Sequence, residues 1–286
     1  WYAITALPVL AQPTSDNAVC WVNSLYVNSL SQTILAKNPI IESVITTWKN
    51  KYNTSQTNPL ESKLSQNQDL KNIVLNETPW VMEAKNQEEQ IQKISNLFNT
   101  NNLQYNNTTA ADKIKQLQLE DGGWPWFKGM RSNFYITNYV LTLLARMNML
   151  SNNAASSNIE SMQKRGLEYL NKWAKKEYDE IQKNIKKNPN AEQKGVSLSV
   201  LRYLYTLAIS NPNRTYKELY TNGVDKADKE ALTYFLKRVN QVTSLWDMQD
   251  KAMVAIVLYH DSRIEEAKEA GKGLKEPGFH FDLAFT

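Results

Sequence analysis

The stretch Ile136-Thr137-Asn138-Tyr139-Val140-Leu141-Thr142-Leu143-Leu144-Ala145-Arg146-Met147 decides the fold class. Its residues Ile136, Tyr139, Val140, Leu143, Leu144 and Met147 fall at helical spacing, which is one stripe of an α-helix. Working outward, Ile159, Met162, Gly166, Tyr169, Leu170 and Trp173 repeat the pattern. Leu201, Leu204, Tyr205 and Ala208 do so again, as do Ala231, Leu232, Phe235 and Val239. No segment of comparable length alternates with period two, so the spacing predicts an all-α chain.

Two kinds of helix are expected. Ala18–Tyr26 and Ala252–Tyr259 are apolar nearly all round, which marks helices buried on most sides. Gln87–Phe98 and Met162–Ile181 carry one apolar stripe and a charged back. Alternation of the two kinds suggests two concentric layers, and the absence of a fixed repeat period argues against a solenoid. Asp16 is the expected N-cap of the first helix. Asn38-Pro39, Asn58-Pro59, Thr78-Pro79, Asn188-Pro189 and Asn211-Pro212 are expected turn points. Polar gaps at 151–158 and 188–193 read as surface loops. No composition shift divides the chain, so residues 1–286 read as a single domain with an entry segment at 1–15. The opening Trp1-Tyr2-Ala3-Ile4 has no initiator Met, and the expectation is a piece of a larger multidomain protein.

Composition narrows the function classes. The formal net charge is +4, with 33 basic residues nearly balanced by 29 acidic ones. The densest basic region, Lys164 to Lys194, is interleaved with Glu168, Glu177, Asp179 and Glu180. That reads as a solvated helix face with salt-bridge spacing rather than a nucleic-acid footprint. No apolar run approaches the roughly 20 residues of a membrane span, so no direct membrane insertion is expected. Two histidines, His260 and His280, and one cysteine, Cys20, do not form a metal-ligand set. No metal or cofactor is expected.

Cys20 sits in the apolar run Ala18-Val19-Cys20-Trp21-Val22 and reads as inert core packing. Asp121 lies beside Trp124 and Trp126, and Asp247 and Asp250 lie near Trp246. Such acids could serve a glycosidase, but Asp121 before Gly122-Gly123 reads more simply as a turn residue. The block Asp121-Gly122-Gly123-Trp124-Pro125-Trp126-Phe127-Lys128-Gly129 gathers three of the chain's 9 glycines. It reads as a tight loop that plugs at least two of Trp124, Trp126 and Phe127 into a core and launches a helix at Ser132. No catalytic residues are assigned.

Several segments, in order from Trp1 to Glu276, resemble the thioester-type domain of bacterial alpha-2-macroglobulins, especially the Bacteroidetes-like branch. They are Trp1–Pro8, read as a strand-like entry; Glu77-Thr78-Pro79-Trp80-Val81 with Ala84–Gln90; and Leu97-Phe98-Asn99. The set continues with Leu117-Gln118, the signature Asp121, Gly122, Gly123, Trp124, Trp126 and Phe127, and Ala252-Met253-Val254-Ala255 with Gly273-Leu274-Lys275-Glu276. The resemblance implies an α/α toroid of alternating inner and outer helices, as in terpenoid cyclases and protein prenyltransferases. It also implies a periplasmic or cell-envelope parent that traps proteases after bait cleavage. The implied partners are the parent's other modules and the target proteases. In thioester-bearing members a Cys-x-Glu-Gln motif starts an inner helix. Here Pro13, Thr14, Ser15, Asp16, Asn17 and Ala18 stand in that place. Cys20 is followed by Trp21-Val22-Asn23, so the acyl partner is missing. The expected role is steric and conformational, without catalysis. A binding or scaffolding module without inhibitor activity is the alternative, followed by a toroid-fold glycosidase. The tail Pro277–Thr286 departs from the family pattern and is expected to be irregular.

Overall fold

The computed structural model describes residues 2–54, 87–150, 157–189, 195–220, 226–241, 247–272 and 274. The expected turns at Asn58-Pro59 and Thr78-Pro79, the family-like stretch from Glu77 to Asn86, Trp246, His280 and the tail Pro277–Thr286 lie outside these residues. Within them the chain is all-α. Twelve helices are described: α1 Tyr2–Ala11, α2 Ala18–Lys37, α3 Ile40–Thr54, α4 Gln87–Leu97, α5 Thr100–Leu117, α6 Phe134–Leu150, α7 Ser157–Lys187, α8 Leu198–Ile209, the single turn α9 Tyr216–Leu219, α10 Lys226–Leu236, α11 Met248–His260 and α12 Ile264–Lys272. The sole extended pairing among the described residues is an isolated antiparallel bridge between Pro125 and Ser132. No described helix is long and apolar enough to cross a membrane.

The described chain forms two compact units. Among the described residues the first comprises 2–54, 87–118, 126–130, 147–150 and 157–159. Here α2 packs against α5, α1 against α2 and α4, and α3 against α4. Ala11, Val27, Ile45, Ile94, Leu97, Phe98 and Leu103 form its apolar cluster, with Leu7 and Ile34 against it. A buried polar chain runs beside this cluster. The Ser24 hydroxyl donates to the Ala11 carbonyl at 2.6 Å, and the Asn28 carboxamide donates to the Ser24 carbonyl at 2.8 Å. The Asn106 carboxamide in turn donates to Asn28 Oδ1 at 3.4 Å. Asn28 is fully buried, and an unpaired carboxamide there would cost about 1–3 kcal/mol. The chain of bonds removes that cost and ties α1, α2 and α5 together.

The entry segment corrects the sequence reading. Trp1–Pro8 was expected to be strand-like, but Tyr2–Ala11 is a helix. The strand-like reading came from the family resemblance alone, and Leu7 and Ala11, four apart, both meet the apolar cluster. Packing of that stripe outweighs the proline at position 8, which removes one helical N–H.

Among the described residues the second unit comprises 119–125, 131–146, 160–189, 195–220, 226–241, 247–272 and 274. In it α8 packs against α11, and α11 against α12. The apolar positions read from periodicity in α6, α7, α8 and α10 are largely buried, including Val140, Leu144, Met162, Leu170, Leu201, Leu204, Leu232 and Phe235. Tyr139 is the exception at 40% exposure. Phe134 stacks on Trp173 with ring centroids 3.7 Å apart. The phenols of Tyr203 and Tyr216 are pushed well above their ordinary range by burial. Both are hydrogen-bonded, to Asn171 and to the Leu204 carbonyl.

Gly166 sits in the middle of α7, where alanine would ordinarily be the better helix former by roughly 0.5–1 kcal/mol. A Cβ at this position would lie 2.8 Å from Trp124 Cζ3 and 2.8 Å from Leu141 Cδ2. The leucine end can move; the indole, fully buried, cannot. Gly166→Ala is therefore expected to lower stability by about 1–3 kcal/mol through overpacking. Gly271→Ala in α12, with nothing within 4 Å of its Cβ, is expected to leave stability unchanged or raise it. Thermal melts of the two variants measure both effects, and equal melting temperatures would refute the close packing at Gly166.

Candidate functional site

The Asp-Gly-Gly-Trp block follows the end of α5. Gly122 turns the chain with φ of +88°, a left-handed conformation that suits glycine. The Gly122 N–H donates to the Leu119 carbonyl at 3.0 Å, and the Leu119 N–H donates to the Gly123 carbonyl at 2.9 Å. Asp121 is the turn residue the sequence suggested. Its Oδ1 accepts from the Gly123 N–H at 3.0 Å, and its Oδ2 accepts from the Ser132 hydroxyl.

The block is then stitched to α6. Trp124 N–H donates to Thr137 Oγ1 at 2.8 Å, and the Asn133 N–H donates to the Trp124 carbonyl at 2.9 Å. Asn133 Oδ1 accepts from the N–H groups of Tyr135 and Ile136, so the helix starts at Phe134, two residues later than expected. From α7, Arg165 Nη2 donates to the carbonyls of Leu119 and Glu120 at 2.8 and 3.2 Å. A Cβ on Gly122 would lie 2.2 Å from the Arg165 carbonyl oxygen. Both signature glycines are thus required by close approach: at Gly123 the hypothetical Cβ would lie 2.6 Å from Ser132 Cβ.

The three aromatics of the block separate. Trp124 is fully buried, but Trp126 and Phe127 are 51% and 47% exposed. This corrects the expectation that at least two would be core anchors. The Met130 N–H donates to the Phe127 carbonyl at 3.1 Å, and Gly129 has φ of +87°. This turn lifts Trp126 and Phe127 toward solvent. Their apolar character could not reveal it.

The segment Pro13–Ala18 leads into α2. Its cap is Asn17, not Asp16 as expected: Asn17 has extended backbone angles, and its Oδ1 accepts from the Cys20 N–H at 2.9 Å. Asp16 instead accepts from the Trp21 indole N–H at 2.7 Å and lies 4.0 Å from the Lys113 ammonium. Ala18 is buried.

Cys20 also differs from expectation. It is partly exposed rather than buried in the core. Its sulfur lies 3.4 Å from the Ser15 hydroxyl and 3.6 Å from the Thr14 hydroxyl. Partial burial pushes the thiol pKa up. Hydrogen bonds from the Ser15 and Thr14 hydroxyls, the Ser15 backbone and the Asn17 side chain outweigh this, and the net shift is downward. The third position of a 20-residue helix favours a thiolate in the same direction. The Ser-Thr pair just ahead of the cap was the sequence signal for this environment.

The carboxylates considered for glycoside chemistry have local duties. Asp247 caps α11 by accepting from the Asp250 N–H at 2.8 Å. Asp250 is held above its ordinary range by desolvation and by neighbouring Asp247. His260 closes α11, its Nδ1 3.1 Å from the Arg214 carbonyl oxygen. Among the described residues no group of three His, Cys, Asp or Glu side chains is arranged to hold a metal ion.

Comparison of the chain with protein-family models, curated proteins and solved structures returns no match in any of the three.

Truncating Trp124 to Ala is expected to cost about 3–5 kcal/mol, whereas Trp126→Ala should stay within about 0.5 kcal/mol as a surface change. Chemical denaturation of the two variants measures the contrast. For Cys20, alkylation by iodoacetamide in native buffer is expected to reach half its limiting rate at a lower pH than an ordinary thiol does. Ser15→Ala removes a donor to the thiolate, so its profile should move toward higher pH. A profile unchanged by the substitution would contradict the hydrogen-bond assignment.

Proposed function

We propose that the chain is a non-catalytic, thioester-less helical module of a bacterial alpha-2-macroglobulin-like protease trap, acting by steric and conformational means. The observation that carries this reading is the joint from Asp121 to Ser132. Its carboxylate, hydroxyl and peptide groups bond to one another and to α6 and α7, and its buried ring fills the space left by Gly166. That is the chemistry of a rigid packing element, and this is the segment with the most specific resemblance to the family.

The start of α2 supports the same reading. A thioester needs a sulfur joined to a side-chain acyl carbon. Here Cys20 meets two hydroxyls, and Asn17 occupies the cap. The α/α toroid belongs to the proposal. It is supported by two kinds of helix: α6, α8 and α11 have strongly buried apolar faces, whereas α7 and α12 carry many charged residues at exposed positions. The proposed setting is the periplasm or cell envelope. The parent's other modules and the target proteases are the proposed partners.

The test uses the full-length natural gene product mixed with a broad-specificity protease. Steric enclosure without covalent capture predicts loss of cleavage of a large protein substrate and retention of cleavage of a small chromogenic peptide. All protease should be released intact by detergent. Equal cleavage of both substrates would remove the trap reading. A detergent-stable protease adduct, or a new thiol released by methylamine, would remove the thioester-less reading.

A further inference from the structure

Within the first unit, a solvent-open cavity of about 380 Å³ lies between α1, the segment after it, α4 and α5. We propose that this cavity binds a short, extended, uncharged stretch of peptide. The inference does not depend on the protease-trap reading.

The chemistry of the wall carries it. Four carboxamides, Gln12, Asn96, Asn102 and Asn106, line the cavity together with the Thr14 hydroxyl. A carboxamide presents an N–H donor and a C=O acceptor on one planar group, the complement of a peptide bond. Apolar surface is supplied by Pro8, Val9, Pro13 and Leu97, suited to small aliphatic side chains. The volume falls within the range of roughly 300–1,000 Å³ common to binding clefts.

Other ligand classes fit less well. No carboxylate stands among the described lining residues, so a metal ion or an amine has no counter-charge. Among the described lining residues only Lys93 carries a formal charge, and a phosphate site ordinarily gathers bidentate or multiple cations. Among the described lining residues there is no aromatic ring, which leaves a sugar without a stacking platform there.

The site is also held in shape from behind. Asn106 on the wall donates to buried Asn28, which reaches Ser24, whose hydroxyl donates to the carbonyl of Ala11, itself a lining residue. Two lining residues, Ala11 on α1 and Asn106 on α5, are therefore joined by a chain of hydrogen bonds. Asn102 is oriented by a bond from its carboxamide to the Asn96 carbonyl at 3.3 Å. Such preorganisation reduces the ordering cost of binding.

The experiment titrates the isotopically labelled chain with N-acetyl-trialanine methylamide and follows the side-chain amide resonances by NMR. Maltotriose is titrated in parallel. The expected result is a saturable shift of the Gln12, Asn96, Asn102 and Asn106 carboxamides with the peptide and none with the sugar. Gln12→Ala and Asn102→Ala, both at exposed rim positions, should each weaken binding by about threefold or more, the effect of one lost hydrogen bond. Alkylation of Cys20, whose sulfur contacts the lining residue Thr14, should slow in the presence of the peptide in the unmodified protein. The absence of a saturable shift at millimolar peptide would overturn the proposal. So would an equal response to maltotriose, or affinity unaltered in both correctly folded variants.

Discussion

The indole of Trp124 lying against the bare Cα of Gly166 is the contact on which the second unit depends. A fully buried tryptophan supplies a large apolar area, but only if the facing helix leaves room. Arg165 and Gly166, adjacent on α7, meet this need in opposite ways. Gly166 withholds a side chain where the ring sits. Arg165 extends its guanidinium to two carbonyls beyond the end of α5 and sets its own carbonyl against Gly122. The loop's conformation and the start of α6 follow, because Trp124 also bonds through its backbone to Asn133 and Thr137.

The first unit is held by different chemistry. Its apolar cluster is modest, and the helices beside it are joined through buried Ser24 and Asn28. Each of those groups would weaken the fold if left unpaired. Linked in series they give α1, α2 and α5 a specific register, since a displaced helix would strand a donor or an acceptor. The abundance of asparagine in this part of the sequence thus has a structural use in addition to its surface one. Three of these asparagines, Asn96, Asn102 and Asn106, line the cavity, and Asn106 also bonds inward to Asn28.

Around Cys20 the helix start combines a cap, two hydroxyls and partial exposure. The sulfur resides where local bonds favour its ionised form, yet no acyl partner is supplied by the matching segment. A domain that functions as a rigid module needs the first unit's register and the second unit's joint more than it needs this sulfur, and the proposed role rests on those two devices.

Helix period, the Gly-Gly turn and the role of Asp121 were legible in the sequence because each is a local property. A 3.6-residue stripe, a left-handed glycine and an aspartate bonding two residues ahead require only neighbours along the chain. The all-α class followed from them. The candidate site was less legible. Asp16 and Asn17 are both good caps in isolation, and the choice fell to Asn17 because Trp21 and Lys113 engage Asp16. Trp124, Trp126 and Phe127 are equally apolar, but one glycine on α7 makes space for a single ring. Cys20 lies in an apolar run, but the returning Thr14 and Ser15 place hydroxyls at its sulfur. The sequence by itself determined the all-helical class of the described chain and the Gly-Gly turn, but not that the entry segment Tyr2–Ala11 is a helix. Which side chains are buried, which residue caps and which polar groups meet were decided only by tertiary structure, because those outcomes depend on atoms brought together from distant positions in the chain.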